Sequence, residues 1–600
     1  MDLKMIQRYL FIGNDGSYAI DLTEPLDVPM GIEILTPVVK PAATKEPMQK
    51  MKPKKGNSNP KNTGTTKSAN MVAKKLNKPG VSTAVNGKDT TETKVPQMSP
   101  LLAMIKTTIK NKTLCRTDEC LFALAFCARE FPTCEEKHAV YDLLPEVIRS
   151  SHDLFMFISF YIELAVKSGH AGFGHGLRKA ITRWYEKHTP MELVEMFARA
   201  HGFAGWTHKD VIAKVHPKVS CPNKQFLIEA AMKRTSQLGQ MKLDESNGKK
   251  NGVDELVKAF KRYETLLQFK SAPNVTKALE LIKQHGAKTK LELLPRHLRR
   301  SAKIWEALYP GLTYRELLNA VLPMQDFRLL KEGDTNANVY AEMLTKRLDA
   351  LETEQIHPIN VQLVEKLYSS GKRYQFLVKE AMHKRSQPEM SPPLKPILDG
   401  LKGALDHSIL HHPRTGIRYF ITLDLRVAHS KKFVFRNRVV TCFEAMVLLA
   451  FSIFKREKSV FIGSFTETDL VLSPVSFDES MNWEQALKCC AKLVLPKTKV
   501  SLAAPIKLAT AEKIKIDMFI TITDSLIRVN PSRLPPIAEL NEYRKKFKLH
   551  LARYVAISLS GNEPSINFPE NKDVGGMLEL CGYNAYTAKF IEAFAKNLFF

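Results

Sequence analysis

Two sets of residues in this chain can do chemistry by type and spacing. The first is Gly172-Phe-Gly-His-Gly-Leu-Arg-Lys-Ala-Ile-Thr-Arg-Trp-Tyr185, followed by Gly205-Trp-Thr-His-Lys-Asp210. Leu177, Ala180, Ile181, Trp184 and Tyr185 recur at helical spacing and predict a buried face; Lys179, Arg183 and Lys187 at i, i+4 and i+8 predict a separate basic stripe. Lysine and arginine neutralise phosphates, and histidine and tryptophan stack on unpaired bases, so the combination points to RNA. A helix whose cations are simply solvated has the same periodicity. The second set is Asp424 and Asp524, which close the apolar runs Tyr419–Leu423 and Met518–Thr523. As strands of a parallel sheet, these runs would bring both carboxylates to the carboxyl edge, where ligands usually bind.

The elements that must hold these residues follow from the pattern along the chain. From about Leu101 to His411 the periodicity is almost wholly helical, in runs such as Cys120 to Glu130, Phe155 to Val166, Phe226 to Leu238, Leu256 to Phe269 and Val361 to Tyr368. Short polar or proline-containing breaks separate them, the pattern of a helical solenoid, though no fixed-period repeat is present. Near Gly416 the register changes. Strands are predicted at Tyr419–Leu423, Ser459–Gly463, Met518–Thr523 and Tyr554–Leu559, and helices at Thr441–Phe454, Trp483–Leu493, Leu534–Phe547 and Ala585–Asn597. This alternation predicts a doubly wound α/β domain with a largely parallel sheet.

The wording and order of the first set resemble the TROVE domain of the Ro ribonucleoprotein autoantigen family. The matching residues are Gly174, Leu177, Arg178, Lys179, Ala180 and Ile181, then Gly205, Trp206, Thr207, His208, Lys209 and Asp210, with Thr207 where the family has serine. Further family-like stretches are Arg8–Gly13, Ser17–Ile20, Leu121–Ala125, Ile356–Pro358, Arg414–Gly416 and Gly575–Gly582, so the resemblance spans nearly the whole chain. It implies a helical HEAT-like repeat ring followed by a von Willebrand factor A-like domain. The expected units are an N-terminal segment (1–37) packing with the ring, a basic low-complexity insert (38–98), the TROVE domain (99–412) and the α/β domain (413–600).

The resemblance further implies a ribonucleoprotein component that binds Y-like small non-coding RNA and engages misfolded RNA through its single-stranded ends. The expected RNA-binding residues are Arg178, Lys179, Arg183, His208 and Lys209, with His175 where the family often has a basic residue. Trp206 is read as a core or positioning residue rather than a stacking platform. A von Willebrand A domain would also carry a magnesium-type site of the form Asp-x-Ser-x-Ser plus Thr and Asp, because a hard cation needs several oxygen ligands. Here the motif reads Asp424-Leu-Arg426-Val-Ala428, with Thr498 and Asp524 in the other two positions. Two hydroxyls are lost and a cation is gained, so no bound metal is expected. Arg426 is expected to pair with Asp424, Asp524 or both, since two unneutralised carboxylates repel.

Composition narrows the alternatives. The 600 residues carry a formal net charge of +27, which favours polyanionic partners. Residues 38–98 are rich in Lys, Asn, Thr, Ser, Gly and Pro and cannot offset their ordering entropy, so disorder is expected there, with an auxiliary RNA contact, nuclear import or a spacer as roles. The start of the chain does not read as a secretory signal, and the longest apolar run, around Ala445 to Phe454, is too short to span a membrane. Nine cysteines without a Cys-x-x-Cys pair suit a reducing compartment, and Cys120, Cys127 and Cys134 read as small buried thiols. The expected location is the cytoplasm, with the nucleus second, and no membrane partner. There is no phosphate loop, nucleophile elbow or zinc-protease motif, and His407, His411 and His412 read as a polar linker, so no enzyme activity is expected. The alternative function is a protein-interaction scaffold built on a metal-free von Willebrand A-like domain. A cryptic metal nuclease ranks last.

Overall fold

The computed structural model describes residues 3–13, 28–39, 99–111, 114–167, 172–232, 250–286, 290–371, 390–411, 413–468, 471–525, 536–561 and 576–599. Apart from Val38 and Val39, which end a helix, the basic segment expected at 38–98 lies outside the described residues, as does His412. The first helices are α1 (Leu3–Ile12), α2 (Val28–Val39), α3 (Pro100–Lys110), α4 (Asp118–Glu130), α5 (Cys134–Val147), α6 (Ser151–Lys167), α7 (His175–Lys187), α8 (Pro190–Arg199), α9 (His208–Val215) and α10 (Pro222–Met232). Further helices follow, including Lys250–Lys270, Tyr314–Asp326, Pro358–Ser370 and Lys395–Leu410. Local chemistry sets several starts: Thr133, Thr189 and Thr207 each close a capping box with an acidic residue three positions on.

Helical packing runs along the chain through successive apolar clusters. One gathers Tyr9, Leu10 and the inner faces of α3 to α7 and α9. A second joins α8, α10 and the helices from Lys250 to Leu308. A third extends from Trp305 through Ile409 and continues into the C-terminal sheet. α1 ties the two ends together. Its Leu10 carbonyl accepts from Cys120 Sγ at 3.4 Å, while Phe11 stacks on Phe599 at 5.3 Å, and Gln7 Nε2 donates to the Leu598 carbonyl at 2.7 Å.

The C-terminal part is the expected doubly wound α/β domain. Its sheet comprises β1 (Tyr419–Leu423), β2 (Val460–Phe465), β3 (Leu472–Pro474), β4 (Met518–Thr523), β5 (Arg553–Ser558) and β6 (Met577–Cys581), in the order β3-β2-β1-β4-β5-β6. All neighbours are parallel except β2 and β3. The four predicted strands fall within two residues of β1, β2, β4 and β5 at either end. Sequence reading missed β3, a three-residue antiparallel edge strand too short to show alternation, and β6, which follows a glycine pair. It also missed the helix Ala504–Ala511. Among the described residues no helix is long and apolar enough to cross a membrane. All nine cysteines are free thiols, but Cys134 is exposed at the start of α5 rather than buried like Cys120 and Cys127.

Candidate nucleic-acid interface

Helix α7 folds as its periodicity requires, with Leu177, Ala180, Ile181, Trp184 and Tyr185 all buried. Trp184 Nε1 donates to the Ile148 carbonyl at 2.9 Å, locking α7 onto the end of α5. Of the glycines around its start, Gly176, in the first turn, is the one packing demands: a Cβ there would lie 2.6 Å from the Tyr141 ring. Gly174 has open space and ordinary backbone angles. Arg129 braces this turn from below, its guanidinium 3.7 Å from the Tyr161 ring centre and its Nη2 donating to the Gly172 carbonyl at 3.2 Å. Sequence reading missed Arg129, since no spacing rule links it to a glycine 43 positions later.

The basic stripe divides. His175, Arg178 and Lys179 are exposed on the first turns of α7. Arg183 instead pairs with Asp142 at 2.7 Å and donates to the Tyr141 carbonyl at 3.0 Å. Lys187 donates to the carbonyls of Pro145 and Ile148 at the end of α5, and partial burial holds its ammonium pKa below the usual lysine value. The second half of the stripe therefore serves α5: Lys187 meets carbonyls at its end, and Arg183 meets the Tyr141 carbonyl, which Pro145 four residues on cannot pair for want of an N–H.

The Gly205–Asp210 segment separates its roles with equal clarity. Phe203 and Trp206 exchange backbone hydrogen bonds of 2.9 and 2.8 Å across a tight turn in which Ala204 and Gly205 have φ of 48° and 80°. Two successive positive φ angles mark a type I′ turn, where glycine is suited and alanine is strained. Thr207 caps α9 and Asp210 caps Thr207, so both are committed to starting the helix. Lys209 then points outward.

His208 points inward and is only 6% exposed. Its Nδ1 pairs with the Tyr185 hydroxyl and its Nε2 with Ser151 Oγ, both at 2.9 Å, inside a box of Phe155, Phe197, Trp184 and Tyr185. Burial, followed by the nearby His188, pushes its pKa down to about 3. His208 is thus a neutral strut for the surface above it and presents neither a phosphate-binding charge nor a free ring face. Trp206 is half-buried against Phe173, with ring centres 5.7 Å apart, as a positioning residue should be. The exposed aromatic is Phe203, whose ring lies 4.3 Å from that of the exposed His152. Neither was expected from sequence; the hairpin that lifts Phe203 onto His152 exists only in three dimensions.

The strand-end carboxylates meet as expected. β1 and β4 pair in register, and Asp424 N donates to the Ile522 carbonyl at 3.1 Å, which sets Asp424 beside Thr523 and Asp524. Asp424 is fully buried and Asp524 is 1% exposed. Arg426 answers the first: Nε lies 3.0 Å from both Asp424 oxygens and Nη2 lies 2.9 Å from Oδ2. Thr498 Oγ1 donates to Asp424 Oδ1 at 3.1 Å and Thr523 Oγ1 to Oδ2 at 2.9 Å. Asp524 is answered by a residue the sequence did not single out, Lys432, with Nζ 3.1 Å from Oδ2. The residues present do not fit a divalent ion: N–H donors approach both Asp424 oxygens, and Ala428 supplies no side-chain oxygen. Among the described residues no group of three or more His, Cys, Asp and Glu side chains is arranged to hold a metal.

Fold and site define a class, a helical array joined to a von Willebrand A-like α/β domain with cations at its strand edge. The model of the Ro60 vWA domain matches residues 418–595. A Caenorhabditis elegans protein named RNA-binding protein RO60 is 23% identical over 491 residues, covering 76% of this chain and 72% of that protein. A Deinococcus radiodurans protein of the same name is 22% identical over 490 residues, covering 80% and 82%. The crystal structure of the Deinococcus radiodurans RO (RSR) protein shares the fold, with a TM-score of 0.69, 20% identity, and coverage of 83% of this chain and 91% of that one. The C-terminal domain thus matches the Ro60 vWA model, and most of the chain is similar to proteins named RNA-binding protein RO60 and to a solved Ro structure.

Proposed function

We propose that the protein binds RNA through the surface built by the start of α7, the 203–206 hairpin and the start of α9. The observation that carries this reading is the division of labour there: His175, Arg178, Lys179 and Lys209 are exposed, the Phe173–Trp206 ring contact ties the approach to α7 to the hairpin that exposes Phe203 over His152, and His208, Trp184 and Tyr185 are buried as a frame between α7 and α9. Cations track a backbone and an exposed ring can stack an unpaired base, a combination suited to structured RNA with a single-stranded segment. The match of the C-terminal domain to the Ro60 vWA model and the names of the two relatives support the same reading. Within it, the ligands are small non-coding RNA of the Y-like kind and misfolded RNA with free ends, and the role is RNA quality control as a ribonucleoprotein component. The protein acts by binding rather than by catalysis, in the cytoplasm, and in the nucleus too if segment 38–98 serves import.

Arg178→Ala/Lys179→Ala/Lys209→Ala should weaken binding of a stem with a single-stranded tail and reduce the slope of log affinity against log salt by about 2, at roughly 0.7 per phosphate contact on a single strand. Arg183→Ala should change that slope little, because its guanidinium already holds Asp142. Filter binding at several salt concentrations reads both. An unchanged slope in the triple variant, or equal binding of heparin and RNA by the unaltered protein, rejects the assignment.

The α/β domain acts without a metal in this proposal. Titration calorimetry with magnesium at millimolar concentration should show no binding to the natural chain. Arg426→Ser/Ala428→Ser restores two oxygen donors and removes the cation, and should create measurable magnesium affinity. Heat of binding from the natural chain that disappears in Asp424→Asn would overturn the metal-free reading.

A further inference from the structure

The loop following β1 lies across the carboxyl edge of the sheet. Lys432 reaches Asp524 at the end of β4, and Phe435 N donates to the Leu559 carbonyl just beyond β5 at 2.9 Å. Residues 426–438 contain five lysines and arginines and no acidic residue, and the adjoining 497–499 segment adds Lys497 and Lys499 around Thr498, which is itself bonded to Asp424. Of these seven cations, Arg426 and Lys432 face the two buried carboxylates. The other five, Lys431, Arg436, Arg438, Lys497 and Lys499, are exposed. The carboxylates beneath are already paired, so they do not cancel the charge of this edge. Glu467, next to the Thr466 carbonyl that accepts from Lys499 N at 2.9 Å, is an exposed acid adjoining it among the described residues.

Two aromatics interrupt the cations. Phe433 is 43% exposed, and Arg436 stands over the Phe435 ring at 5.1 Å. The loop also abuts the helical part: Asn437 lines a cleft of about 390 Å³ with Arg315, Asn319 and Asn360 from the helices Tyr314–Asp326 and Pro358–Ser370. Cations on the flanks of the short helix Val427–Ser430 and the turns after it can meet the repeating charge of a phosphate backbone, and an exposed ring among them matches an unpaired base, whereas an acidic peptide uses the charge but not the ring.

We propose that the carboxyl edge of the α/β domain is a second RNA-binding surface, on which Lys431, Arg436, Lys497 and Lys499 take the backbone of a single-stranded segment and Phe433 takes a base. Arg426 and Lys432 make this possible by neutralising Asp424 and Asp524 from within, so that the edge attracts anions without a bound metal. The inference rests on the RNA-binding reading and extends it from the helical part to the α/β domain.

The test uses the full chain and an RNA stem with a single-stranded tail of about 15 nucleotides, long enough to span an ordinary single-strand site. Lys431→Gln/Arg436→Gln/Lys497→Gln/Lys499→Gln leaves the buried pairs intact. It should lower the salt slope by about 2 to 3 and the affinity at moderate salt about tenfold. Binding of the tailless stem should change less. In the natural chain, ultraviolet crosslinking to the tail should label the tryptic peptide that contains Phe433, a readout independent of how the variant folds. Unchanged slope and no label at Phe433 overturn the proposal; so does competition by polyglutamate as effective as by RNA, which would make the edge an acidic-protein surface. Loss of binding in Arg178→Ala/Lys179→Ala/Lys209→Ala with no effect of the edge variant sinks this inference alone, whereas no effect of either variant sinks the RNA reading itself.

Discussion

Arg426→Ala is expected to lower the unfolding temperature of the α/β domain by about 5 °C or more. The substitution leaves Asp424, fully buried, without the guanidinium that meets both its oxygens, and leaves Lys432 alone to offset two adjacent carboxylates. Removing one partner of a buried pair costs about 3 to 5 kcal/mol; because the Arg426 side chain keeps 24% of its surface in water, about 2 kcal/mol is the better expectation. For a domain of this size each kcal/mol moves the midpoint by roughly 2 to 4 °C. Arg426→Lys keeps the charge but not the two-point contact and should fall between. Asp424→Asn in the Arg426→Ala background should recover part of the loss, because the charge left unpaired is then gone. Scanning calorimetry reads all three. An unaltered midpoint in Arg426→Ala would show that the pair adds nothing to stability.

The second large effect concerns pH. His208 is neutral in the folded protein, with its pKa pushed down to about 3 against an ordinary value of 6.5. A folded state that excludes a proton the unfolded chain accepts loses stability in acid. The contribution is therefore complete above about pH 6.5 and falls away as pH drops from there towards 3. Between pH 7.5 and 5.0 the loss from this residue is about 2 kcal/mol, from the linkage relation applied to those two values. His208→Gln cannot be charged, so its stability, lower at pH 7.5 because one of two hydrogen bonds is lost, should change less between the two pH values. Denaturant unfolding at both pH values, monitored by tryptophan fluorescence, compares the slopes. Equal acid sensitivity in the two proteins would place the titration elsewhere, for instance at His188, whose pKa partial burial also lowers.

The buried His208 alters how the first motif is understood. Its type and its neighbours Trp206 and Lys209 suggested a base-stacking or phosphate-binding group, yet it occupies the first turn of α9 with its ring turned into an aromatic box. Helical spacing fixes which face of α7 is apolar because five large side chains vote together. It says nothing of a single residue at a helix start, whose direction depends on where the preceding turn enters. Here Ala204 and Gly205, both at positive φ, set that entry.

Much of the architecture was written in local pattern. Continuous apolar runs of five or six residues placed β1, β2, β4 and β5, and the aspartates just beyond β1 and β4 had to converge once those strands were neighbours. The loss of two hydroxyls and the gain of Arg426 were visible as letters, and the repulsion of two carboxylates gave reason to expect Arg426 against Asp424, Asp524 or both; that it takes Asp424 while Lys432 takes Asp524 is a result of the fold. By contrast, β3 depends on pairing with β2, and a three-residue strand carries no period of its own.

What only the tertiary structure decided was which of several identical charges is engaged. Lys432 and Lys431 are adjacent lysines in one loop, but the first meets Asp524, 92 positions away, and the second stands in solvent. Lys179, Arg183 and Lys187 share one stripe, but the last two are drawn to α5, Arg183 to Asp142 and the Tyr141 carbonyl and Lys187 to carbonyls at the helix end. Sequence determines the elements and the charge they carry, since propensity and periodicity are properties of neighbours along the chain. The pairing of a charge is a property of neighbours in space, and a long flexible side chain takes whichever partner the packed backbone brings within about 3 Å.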